Sequence, residues 1–154
     1  MAASAPGLAT PRTFRIARIL GYLVFLAAFF LPAVRQVTAS GAGAPEVYQG
    51  WFCAWITLIN TLNHEFWHST AFLAILSGWI NPLMLLYVAF LFSRGLGAAR
   101  RVIAVIILLF MIATWIYFRL VPLVPLIGHV LWIVGILMIV AGDFAPRRSP
   151  APAS

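Results

Sequence analysis

Residues 46–94 read EVYQGWFCAWITLINTLNHEFWHSTAFLAILSGWINPLMLLYVAFLFSR, and their placement decides the fold. At 49 residues the stretch is too long for one helical crossing of a bilayer, which takes about 20. Read as two crossings it gives the chain five spans. Read as one crossing preceded by a surface helix it gives four. Arginine bias separates the two, because cytoplasmic loops collect positive charge. With four spans and a cytoplasmic N-terminus, Arg12, Arg15, Arg18, Arg94, Arg100, Arg101, Arg147 and Arg148 share the inner side, leaving only Arg35 and Arg119 outside. Five spans split the arginines almost evenly. The expectation is an all-α membrane protein: a four-transmembrane-helix bundle with an additional extracytoplasmic interfacial helix, amphipathic or re-entrant.

Composition supports the membrane. Of 154 residues 64% are hydrophobic and 8% charged, with mean hydropathy +1.03; soluble domains carry about 25% charged residues. The net charge of +7 does not imply nucleic acid, since every basic residue is arginine and most flank apolar runs. The single cysteine, Cys53, cannot form an internal disulfide.

Outward from the central stretch, the expected spans are 14–34, 69–92, 102–118 and 126–141, with the interfacial helix at 48–67. Residues 1–13 and 145–154, rich in Ala, Ser and Pro, are expected to be disordered cytoplasmic ends. Residues 14–34 also admit a signal-peptide reading, with Ala42-Gly43-Ala44 as cleavage site, although the apolar run exceeds the usual 7–15 residues. Ala17, Gly21 and Ala28 share one face of the first span. Gly128, Gly135 and Gly142, seven apart, share one face of the last; both are faces where another helix approaches closely. Thr70, Ala74, Ser77 and Asn81 form a small, polar stripe expected to face the bundle. Pro82 predicts a kink, with Asn81 bonding a carbonyl it frees. Residues 35–45 read as a loop and Val121-Pro122-Leu123-Val124-Pro125 as a stiff outer turn. Asp143 is placed to pair with an inner arginine.

In the outer helix, Trp51, Trp55, Leu58, Leu62 and Phe66 line one face; Cys53, Thr57, Asn60, His64 and His68 line another. His64-Glu65-Phe66-Trp67-His68 is an HExxH sequence. Two histidines four apart project from one helical face and can share a metal ion, and the intervening glutamate can act as general base on a metal-bound water. His129, at the outer start of the last span, is the expected third ligand. Cys53 is a poorer one, about 16 Å from His64 along a straight helix.

The motif resembles zinc metallopeptidases, including intramembrane site-2 proteases. That resemblance implies His64 and His68 as zinc ligands and Glu65 as catalytic base. Such proteases take a third ligand from a downstream Asp-Gly pair, whereas Asp143 follows Gly142 and belongs to the opposite membrane face.

The middle of every span lacks an ionisable residue, which disfavours ion-driven transport. The leading expectation is a non-catalytic accessory or scaffold subunit, or a sensor, with no cofactor. The alternative is an extracytoplasmic metal-binding protein, possibly a zinc-dependent hydrolase, using His64, His68 and His129. Expected partners are the lipid bilayer and another membrane protein or a second copy, not nucleic acid. The expected location is a bacterial inner membrane, with both termini cytoplasmic.

Overall fold

A computed structural model describes residues 11–37, 46–62, 70–93 and 95–144. Of the ends expected to be disordered, 1–13 and 145–154, residues 1–10 and 145–154 lie outside these, as does the histidine motif, while 11–13 open the first helix. The chain is mostly helical: α1 Pro11–Ala28, α2 Gly50–Asn60, α3 Ala71–Phe92, α4 Gly97–Leu120 and α5 Ile127–Phe144. Among the described residues three helical stretches are long and apolar enough to cross a membrane, Phe72–Phe92, Gly97–Leu120 and Ile127–Phe144.

The first expected span does not form as one helix. α1 stops at Ala28 and the chain continues as strand β1, Pro32–Gln36. Pro32 is the cause: in a continuing helix its ring would clash with the carbonyl four residues back, that of Ala28, and it has no N–H to donate. Tight turns close the helix instead, with Leu31 N donating to Ala28 O at 3.3 Å.

β1 is the centre of a three-stranded antiparallel sheet, the main departure from the all-α expectation. Its neighbours are β2, Val47–Gln49, and β3, Leu123–Pro125, in the order β2-β1-β3. Val34 faces Tyr48 on one side and Pro125 on the other. The stretches read as a loop and a stiff turn are therefore partly strands. Valine at 34, 47 and 124 favours extended backbone, while proline at 122 and 125 bars helix and is tolerated at a sheet edge. Backbone bonds tie the sheet to the helices: Leu126 N donates to Ala33 O at 2.8 Å, and Gly50 N to Leu31 O at 3.1 Å.

The expected glycine faces meet each other. α1 packs along α5, and a Cβ at Gly21 would come within 2.9 Å of the Gly135 carbonyl oxygen. Gly128 lies against the Leu31 and Pro32 carbonyls and Gly142 against the Arg18 guanidinium. α3 packs along α4. The core where the two pairs meet contains Phe25, Ile80, Met84, Tyr87, Ala104, Ile107, Ile136 and Ile139. The other α4 face, with Val102, Val105, Leu109 and Ile112, is exposed, as a lipid-facing side would be.

At the end where α4 begins and α5 ends, Asp143 gathers four helices. Arg18 Nη2 donates to its Oδ1 at 2.7 Å; Arg100 donates through Nε to Oδ2 at 2.6 Å and through Nη2 to Oδ1 at 2.8 Å. Tyr87 Oη donates to Oδ2 at 2.7 Å. The Asp143 side chain is only 2% exposed. The expected pairing of Asp143 with an inner arginine thus forms, with two partners and a tyrosine.

Candidate functional site

α2 lies across α3. Thr57 rests on Gly78, where a Cβ would fall 2.6 Å from Thr57 Oγ1. A side chain at 78 would lift the helix away. Gly78 is seven residues inward from the start of α3, about 10 Å along its axis. α2 is therefore set into the bundle rather than resting on its rim. Its Trp51, Trp55, Leu58 and Leu62 point outward and are exposed. A helix floating at the interface would turn its polar side to water. Here Cys53, Thr57 and Asn60 turn inward, toward the protein's own cavity.

That cavity, of about 520 Å³, lies beneath α2, which packs on α3, β1 and β2. Ser77 and Asn81 of the α3 stripe line it opposite Cys53, Thr57 and Asn60 of α2. The two polar stripes legible in the sequence thus line one space. Burial pushes the Cys53 thiol above its usual range, so at neutral pH it stays protonated and a weak nucleophile.

His129, the third residue of α5, is 7% exposed and lines the same cavity. Its ring stacks on Trp132 at a centroid distance of 5.4 Å and meets the edges of Phe118 at 4.8 Å and Trp115 at 6.0 Å. Nε2 has no hydrogen-bond partner and is fully buried. Orphaned buried nitrogens are uncommon because desolvation without a bond is costly. Trp132 Nε1 donates to Asn81 Oδ1 at 3.1 Å. Asn81 thus accepts from Trp132 through its oxygen, and α3 runs on through Pro82 to Phe92. Indole nitrogen can only donate, so this bond fixes the amide orientation and leaves the NH2 group of Asn81 for another partner.

Of the sequence-predicted site, His64, Glu65 and His68 lie outside the described residues, so only His129 is placed. Among the described residues no three His, Cys, Asp or Glu side chains come together as a metal centre. Sequence reasoning missed Trp132, Thr114, Tyr117 and Phe118, which complete the cavity wall. Trp132 had a signal: three residues after His129, it shares that histidine's helical face. The α4 residues had none, since their apolar surroundings read as lipid-facing.

No protein-family model matches the chain, and no curated protein or solved structure matches it either. The reading of its function rests on the residues themselves.

Proposed function

We propose that this chain is a non-catalytic membrane protein, a sensor or accessory subunit, that takes a small lipid-soluble molecule into the cavity beneath α2. The carrying observation is a cavity of about 520 Å³ on whose wall lies His129, an imidazole with one buried, unpartnered nitrogen. Ligand pockets typically span 300–1,000 Å³, are mostly apolar and hold a few polar groups that orient the guest.

The chain crosses four times, through α1 with β1, then α3, α4 and α5, with both ends of this domain cytoplasmic in a bacterial inner membrane. Support comes from Arg18, Arg100 and Asp143 meeting at one end while the sheet lies at the other. From Arg18 to Ala28 the helix covers about 15 Å, half of a bilayer core; β1 carries the chain onward. Within the membrane β1 has its backbone paired on both sides, by β2 and β3, as spanning backbone requires. A reporter fused at the Gly95 turn or after Phe144 should read cytoplasmic, and an external signal at either refutes this orientation.

The metal reading stays as a second proposal, favoured by the same unpartnered His129 Nε2. His64 and His68 would be its fellow zinc ligands and Glu65 the base. One set of purified proteins tests both readings: wild type, Ser77→Phe and His129→Ala. An adamantyl diazirine photolabel should mark cavity residues such as Trp132 in wild type and mark them less in Ser77→Phe, whose added ring takes up part of the space. Labelling confined to lipid-facing residues in both removes the cavity reading. Zinc bound to wild type and lost in His129→Ala supports the metal centre, whereas equal, negligible zinc in both removes it.

A further inference from the structure

The cavity lining narrows the chemical class of its guest. We infer that it takes a neutral, lipid-soluble quinone-type ring, whose rim oxygen accepts a hydrogen bond from the Asn81 amide or the His129 imidazole; the inference rests on the cavity being a ligand site.

Neutrality follows from the wall. Among the described residues, no Asp, Glu, Lys or Arg lines the cavity. An ionised guest would lose its hydration with no opposite charge to replace it, a penalty of several kcal/mol. The ring follows from the flat faces available. Phe29, Phe52, Tyr117, Phe118 and Trp132 all line the space, and aromatic faces favour a planar guest through stacked and edge contacts.

The oxygen follows from the donors on the wall, two of which share one support. Trp132 stacks on His129 and donates to Asn81, so one side chain orients both. The imidazole, held by three aromatic rings, cannot swing away to find another partner. Whichever ring nitrogen carries the proton donates, as the Asn81 NH2 group does. A carbonyl on the rim of a ring satisfies either, and a quinone carries two. Lipid solubility follows from α2, whose outward face is apolar, so that the cover of the cavity abuts the membrane. A guest dissolved in the bilayer can enter there without crossing water.

The test uses the full chain in mild detergent and a decyl-substituted benzoquinone as probe, with decylcyclohexane, which has the tail and a ring but neither oxygen nor a planar face, as control. Equilibrium dialysis should show saturable quinone binding, with the control binding about tenfold more weakly or worse. His129→Leu should weaken quinone binding about tenfold or more. His129→Gln, which keeps a hydrogen-bonding group at the position, should restore most of the loss; circular dichroism on both variants checks that the helices persist. Absence of saturable quinone binding, equal binding of the control, or equal affinity in His129→Leu overturns the inference. If the photolabel still enters the cavity, only the ligand class has failed; if it does not, the ligand-site reading falls as well.

Discussion

Replacing Asp143 with Asn should destabilise the protein by about 3–5 kcal/mol, the cost of removing one partner from a buried ion pair. The carboxylate is nearly inaccessible and receives four hydrogen bonds, three of them from guanidinium groups of Arg18 and Arg100. A neutral amide keeps one accepting oxygen but leaves two part-buried cations facing each other. The native cluster is worth much less than that penalty suggests, because its charges also gave up hydration on folding. Replacing the set with apolar groups, as Arg18→Met, Arg100→Met, Asp143→Leu and Tyr87→Phe together, should therefore recover most of the stability lost in Asp143→Asn. Denaturation in mixed micelles followed by circular dichroism measures both. An Asp143→Asn protein that unfolds with wild type would show that the cluster holds nothing together.

The second large effect concerns the closest helix contact. A Cβ at Gly135 would lie 2.8 Å from Phe25 N, 2.9 Å from the Gly21 carbonyl oxygen and 2.9 Å from Phe25 Cα. All three are main-chain atoms, so no rotamer change relieves the clash and the helices must separate. Gly135→Ala should cost about 1–3 kcal/mol, the usual range for overpacking, and Gly135→Leu more. Val134→Ala, at an exposed position beside it, should stay within about 0.5 kcal/mol of wild type. The same denaturation assay ranks them. Equal stability of Gly135→Leu and Val134→Ala would mean that α1 and α5 do not meet on this face.

Features set by helical spacing were legible in the sequence. Residues seven apart fall on one side of a helix whatever surrounds it, so the glycine face of α5 could be read directly. The same holds for the stripes at Cys53, Thr57 and Asn60 and at Ser77 and Asn81. The Asp143 pairing was legible because the chain has one aspartate and arginines crowd that side. The sheet was not. Its strands are three to five residues long, each short enough to pass for loop or turn, and they pair across gaps that local patterns do not register. Pro32 was the available clue, since it makes a helix from 14 to 34 costly in the middle of its last turns. The role of Asn81 was hidden for a related reason: its partner Trp132 is 51 residues away, and a kink beside Pro82 offered a nearer one.

The early stop forced by Pro32 bears on how the protein is made. α1 carries Arg12, Arg15 and Arg18 in its first half and has little greasy length to offer the translocation machinery by itself. Its packing partner is α5, the last of the described helices. α1 must therefore wait at the membrane until α5 has been made, and such distant closures are the slow, error-prone steps of assembly. Chains shortened before α5 should leave their first segment unseated and be cleared by quality-control proteolysis.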